Sequence, residues 1–160
     1  MASKNSESVC CPEVDTSLWH DKTFHWEGKK FIKDRVCTFF YMPVSFGKVM
    51  RRLMTKVENA SAVVEDNLCL SDHTSKWNMD VYVAVDRDVE NAENKTLNGR
   101  FYARAYDGPF RDTGKWCKDF EANVSEKGLT IKKWYMWYTT CPKCAKKYGK
   151  NPVIIICEIN

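Results

Sequence analysis

No run of apolar residues in this chain approaches the roughly 18 that a membrane-spanning helix needs, and the opening stretch MASKNSESVCCPEVD lacks the apolar segment of a secretory signal. The expectation is a cytoplasmic protein made without a cleaved leader and with no membrane partner. Charge of one sign is also missing: 25 basic and 21 acidic residues are interspersed, for a net charge of +4. Nucleic-acid binding would want a larger basic excess with aromatics woven into it, so nucleic acid is not the expected partner. Two local basic clusters stand out, Lys48/Arg51/Arg52/Lys56 and Lys143/Lys146/Lys147/Lys150, and both read first as solvated surface. Eight cysteines in 160 residues are too few for a disulfide-built scaffold. Cys37, Cys69 and Cys157 sit in apolar runs and read as reduced core residues. The three histidines, His20, His25 and His73, stand at no recognisable catalytic spacing from a serine or cysteine.

What is present is apolar material for one domain, with 44% hydrophobic and 13% aromatic residues. Residues 1–34 look polar and irregular, an arm that docks on the domain through Trp19, Phe24, Trp26 and Phe31, its first nine residues disordered. From residue 35 to 160 the pattern is regular. VCTFFYM (36–42) reads as a strand stopped by Pro43. Ser45 can cap a helix whose Phe46, Val49, Met50, Leu53, Met54 and Val57 form one apolar stripe. AVVEDNLCL and MDVYVAV (79–85) follow as strands. The second half has the same order: the strand GRFYARAY (99–106), an Asp107-Gly108-Pro109 turn, a helix over about 112–127 ended by Gly128, then the strands IKKWYMWY (131–138) and VIIICEI (153–159). The fold class this implies is α+β: two tandem strand-helix-strand-strand repeats forming one curved antiparallel sheet, both helices on one face and a ligand cleft on the other.

That element order, with LNGRFYARAYDGPF, resembles the GyrI-like small-molecule-binding domain family over about residues 35–160. The pieces CCPEVD, WEGKKFIKDRV, MDVYVAV, YDGPF and YTTCPKCAKKYGKNPV are similar to a stand-alone bacterial branch of it, related to cyclopropanoid cyclopropyl hydrolases. The resemblance implies a domain that holds a bulky, hydrophobic aromatic or cationic small molecule between its repeats. It leaves two functions open: hydrolysis of cyclopropanoid genotoxins in self-protection, and non-catalytic sensing or sequestration of aromatic, cationic or tetrapyrrole-like ligands. No segment is long enough for a separate helix-turn-helix domain, which argues against a one-chain transcription regulator.

Opening a cyclopropane fused to a dienone with water needs an aromatic slot, a carboxylate to orient the water and a donor near the developing phenolate. Glu158, the one charge in VIIICEI, is the first carboxylate candidate, and fraying of the chain end is its bland alternative. Asp80 is the second, on the Tyr82 side of its strand. Tyr82, Tyr102, Tyr106, Tyr135 and Trp137 are the aromatic candidates. Trp134, Met136 and Tyr138 alternate with Tyr135 and Trp137, and the latter pair is taken as ligand-facing. No cofactor is expected. Cys141 and Cys144 have the CxxC spacing of a zinc knuckle, which Cys10 and Cys11 could complete, but no second CxxC exists. The larger reading of CPKCAKKYGK is a structured hairpin loop.

Overall fold

The computed structural model describes residues 12–140 and 142–160, and they form two compact units. One is Phe24–Arg100; the other joins Phe101–Asn160 to the segment ending at Thr23. The strands are β1 (Lys22–Phe39), β2 (Met42–Pro43), β3 (Val64–Ser75), β4 (Asn78–Val85), β5 (Glu93–Asp107), β6 (Ile131–Tyr138) and β7 (Pro152–Ile159). The helices are α1 (Phe46–Asn59), α2 (Thr113–Glu126) and α3 (Pro142–Tyr148). The α+β class with antiparallel pairing is therefore as expected.

In Phe24–Arg100 the strand order is β2-β1-β4-β3, and in the other unit β6-β7-β5. In both, the third long strand lies between the first and the second. The valines of β4 alternate as its sequence implies: Val81 pairs with Asp34 of β1 and Val83 with Ile32. Arg52 of α1 reaches Asp34 at 2.8 Å, which places α1, with its buried Val49, Leu53 and Val57, over this valine face. Asp80, Tyr82 and Ala84 point the other way. In the second unit, α2 buries Trp116, Phe120 and Val124 against Tyr102, Met136, Val153, Ile155, Cys157 and Ile159. Alternation then leaves Tyr135, Trp137, Ile154, Ile156 and Glu158 on the face away from α2.

Three local expectations are corrected. Residues 22–34 are strand, not irregular arm. Gly28, at φ +62, breaks the two-residue alternation, so that Trp26 and Phe31, five residues apart, bring their ring centroids to 5.7 Å. A strand whose parity changes midway shows no continuous period in its sequence. The tail of CPKCAKKYGK is helix α3 and not a hairpin loop: proline suits a first helical position, alanine and lysine are good helix formers, and Gly149 at φ +69 supplies the left-handed stop. Ser45 precedes α1 but makes no side-chain cap; its Oγ accepts instead from the Cys37 amide at 3.0 Å.

Cysteine burial also divides. Cys37 is exposed, whereas Cys157 is buried, and burial pushes the Cys69 thiol up to about 12. The first nine residues, along with Cys10, Cys11 and Cys141, lie outside the described residues.

The β1–β2 connection is a two-residue turn, with Phe39 paired to Met42 across it. Its residues Phe40 and Tyr41 have φ of +46 and +71, the signs of a type I′ hairpin turn, which favours Asn-Gly. Two bulky residues held there store strain. Replacing Phe40-Tyr41 by Asn-Gly should stabilise the protein by about 1 kcal/mol, read as a higher urea midpoint. A lower midpoint would show that the ring contacts of Phe40 outweigh the strain.

Candidate functional site

The helix-free face of the second unit is built by the β6–β7 ladder. Lys133 pairs with Glu158, Tyr135 with Ile156 and Trp137 with Ile154, so one face carries an amine, a carboxylate, a phenol and an indole in two adjacent rows. Directly opposed side chains in such a ladder have Cβ atoms roughly 5 Å apart. The Lys133 ammonium lies 5.4 Å from the centre of the Tyr135 ring. Trp137 is only 1% exposed and Tyr135 3%, and Trp19 stands edge-on to Trp137 at 5.1 Å and 87°. The end of β7 does not fray: the Asn160 amide donates to the Thr130 carbonyl at 3.2 Å, and the Thr130 amide to Asn160 Oδ1 at 3.0 Å. Glu158 is thus held within the ladder and half-buried.

The segment that carries Trp19 is anchored at several points. Asp15 Oδ1 accepts from the Ser17 amide at 3.0 Å, Glu13 pairs with Lys150 at 2.6 Å, and His20 Nδ1 accepts from the Ala105 amide at 3.1 Å. Asp21 accepts from the Tyr102 hydroxyl and lies 3.3 Å from Arg104 and 3.6 Å from Lys127. The Tyr102 bond, with help from Lys127 and Arg104, holds the Asp21 carboxyl below its usual range.

Tyr102 and Tyr106 stand apart from the Tyr135/Trp137 row. Both lie on the α2 side of β5. Tyr106 stacks on Trp116 at 5.8 Å and 19° and donates to Asp119 at 2.6 Å, while Tyr102 packs on Phe120 at 5.2 Å. Burial, then the bond to Asp119, pushes the Tyr106 phenol up, so it stays a neutral donor. Arg104 sits between Asp21 and Asp119, 3.5 Å from the latter. The two tyrosines therefore fasten β5 to α2 and to the preceding segment. Tyr138, also on the α2 side, is raised by burial to about 12.

The face of Phe24–Arg100 away from α1 has its own cluster. Asp80, 8% exposed, lies 3.5 Å from the Lys33 ammonium and accepts from Asn78 Nδ2 at 3.1 Å. It is directly opposite Asp72 on β3. Lys33 also stands 5.8 Å from the centre of the Tyr82 ring. Tyr82 meets Phe31 edge-on at 6.4 Å, and the row continues through Trp26 to Phe24 at 5.0 Å. Asp80 and Tyr82 do share a face, as their spacing implies. Sequence reasoning missed the lysines. Lys33 and Lys133 each stand over a tyrosine beside a carboxylate, and the parity of Lys33 was hidden by Gly28.

Among the described residues, no group of three or more histidine, cysteine or acidic side chains could hold a metal ion. Cys144, the one described member of the possible zinc set, is buried.

The sequence matches a family model described as "Bacterial hydrolase" over residues 1–159. No curated protein matches it. Among solved structures, the chain is similar to the EcmrR C-terminal domain, with TM-score 0.65 and 11% identity over 89% of this chain and 98% of that one. A hydrolase from Listeria innocua aligns with TM-score 0.61 and 10% identity over 99% and 98% of the two chains. SAV2435, solved bound to tetraphenylphosphonium, aligns with TM-score 0.52 and 10% identity over 88% and 94%. At such identities the likeness is one of fold, and that fold is the GyrI-like one which the sequence resembles.

Proposed function

The chain belongs to the bacterial hydrolase family, and from that premise we propose that it binds a bulky aromatic small molecule on the helix-free β6–β7 face and hydrolyses a strained cyclopropane ring in it. The observation that carries this reading is the placement of Glu158, Tyr135, Trp137 and Lys133 on one face. An aromatic wall takes a flat ligand, a half-buried carboxylate can draw a proton from water, and an amine or phenol can donate to an oxygen on which negative charge develops.

Glu158 accepts a proton from water as the water oxygen bonds to the less hindered cyclopropane carbon. The ring carbon–carbon bond breaks, and its electron pair passes into the dienone, which becomes a phenolate. Lys133 or Tyr135 supplies the hydrogen bond that meets this charge, and the phenolate takes up a proton from solvent as Glu158 returns to solvent the one it accepted. Asp80 is less suited to act as base, because Lys33 and Asn78 already occupy its oxygens. It serves as the counter-ion that keeps Lys33 in place. A ligand that reaches Trp137 has to displace the Trp19 indole by side-chain rotation, since the segment that carries it is anchored on both sides. Detoxification in the cytoplasm fits such an activity.

A second reading is favoured by the tetraphenylphosphonium held by SAV2435: non-catalytic binding of an aromatic cation, with Glu158 as counter-charge. Titrating the full chain with tetraphenylphosphonium chloride while following tryptophan fluorescence tests the shared part. Saturable quenching in the micromolar range, weakened about tenfold in Tyr135→Ala, is expected; quenching unchanged in that variant would remove the β6–β7 face as the site.

A further inference from the structure

A second feature of the Phe24–Arg100 unit lies at its turns. The β1–β2 turn and the β3–β4 turn together present Phe39, Phe40, Tyr41, Met42, Val44 and Trp77, each between 52% and 68% exposed. The rings form one cluster: Phe39 to Phe40 at 4.8 Å, Phe40 to Trp77 at 5.1 Å and Phe39 to Trp77 at 5.7 Å. Main-chain bonds lock the two turns to each other, with the Thr38 amide donating to the Trp77 carbonyl at 3.0 Å and the Tyr41 amide to the Lys76 carbonyl at 3.1 Å. An apolar knob on a rigid, strained support is not a patch awaiting collapse into the core. Exposed clusters of this kind mark interaction surfaces.

Its setting decides the partner. From Arg35 to Val57 the sequence holds Arg35, Lys48, Arg51, Arg52 and Lys56 and no acidic residue. Lys48 and Arg51 are exposed on the first turns of α1, directly after the knob. Lys76 lies 5.7 Å from the centre of the Phe40 ring. Aromatic side chains at a tip, flanked by Lys48, Arg51 and Lys76, match the boundary of an anionic bilayer, where the rings enter the headgroup region and the cations meet lipid phosphates. A second copy of the chain would bring the same cations face to face.

We infer that the Phe39–Val44 and Trp77 knob, with Lys48, Arg51 and Lys76, docks the protein on an anionic membrane surface. The expectation of no membrane partner rested on the lack of a spanning run, which a surface contact does not need.

The test is co-sedimentation of the full chain with vesicles of phosphatidylcholine alone or of equal parts phosphatidylcholine and phosphatidylglycerol. Partition to the anionic vesicles is expected, falling with rising ionic strength and falling about tenfold or more in Lys48→Glu/Arg51→Glu. Phe40→Ser/Trp77→Ser, at exposed positions that leave the core intact, should reduce it by a similar factor. Circular dichroism checks that both variants remain folded. Absence of binding to anionic vesicles overturns the proposal, as does equal, salt-insensitive binding to both compositions. A dimer in sedimentation velocity that Phe40→Ser/Trp77→Ser abolishes, without vesicle binding, assigns the knob to a second copy and overturns it too.

Discussion

Glu158→Gln should lower the turnover of a cyclopropane-fused dienone by about a hundredfold or more, while the same neutral compound binds with little change, because general-base assistance typically contributes a factor of about 10² to 10⁴. The glutamine is isosteric, so the register of β7 on β6 and the pinned end of β7 should survive. The loss would fall on kcat and not on KM, since the proton is withdrawn only as the water attacks. The binding-only reading gives the opposite pattern: no turnover in either form, and weaker binding of a cation such as tetraphenylphosphonium in the glutamine variant, because the counter-charge is gone. Turnover that persists undiminished in Glu158→Gln would remove this residue as the base. Asp80→Asn would then be the next variant, although freeing Lys33 from its partner also carries a stability cost.

Strands β4, β6 and β7 and the two longer helices were legible because each keeps one period along most of its length, whereas the strand read over 36–42 is broken by the Phe40-Tyr41 turn and β3 and β5 extend beyond the segments read for them. The β4 valines alternate with Asp80 and Tyr82, and the α1 stripe recurs at helical spacing; the structure places both within a residue or two of where the sequence puts them. What the sequence hid depends on a third dimension or on a break in period. Gly28 reverses the parity of β1, so an eighteen-letter reading of that strand looks irregular although each half alternates. Tyr102 and Tyr106 sit beside Arg104 on what reads as an open, polar strand face. Yet α2 covers that face, because Asp119 and Asp21 receive the hydroxyls and the guanidinium while the rings pack on Phe120 and Trp116. A tyrosine is apolar along its ring and polar at its tip, so its presence does not tell a covered face from an open one. For β6, alternation defines the pair Tyr135/Trp137, but only the position of α2 against Met136 shows which side of the strand is helix-free.

Trp137→Ala should be the most destabilising single change on that face, at about 3–5 kcal/mol, because it empties the volume of the largest fully buried side chain. For a chain of this size that corresponds to a fall in Tm on the order of 10 °C. Trp19→Ala should cost less, since Trp19 is only partly buried and its edge-on contact adds about 0.5–1.5 kcal/mol beyond area. In the double variant the two losses should sum to more than the measured effect, the shortfall being the energy of the indole pair. The pair also separates support from recognition. Trp137→Phe keeps most of the buried ring volume and so most of the stability, but it shortens the aromatic wall, and ligand affinity should fall while Tm changes little. Equal affinity in wild type and Trp137→Phe would make Trp137 a packing residue alone and leave Tyr135 as the ring that meets the ligand. If Trp19 is the half that moves, Trp19→Ala should bind the ligand at least as tightly as the wild type despite its lower Tm, because the energy otherwise spent in displacing one indole from the other is no longer required.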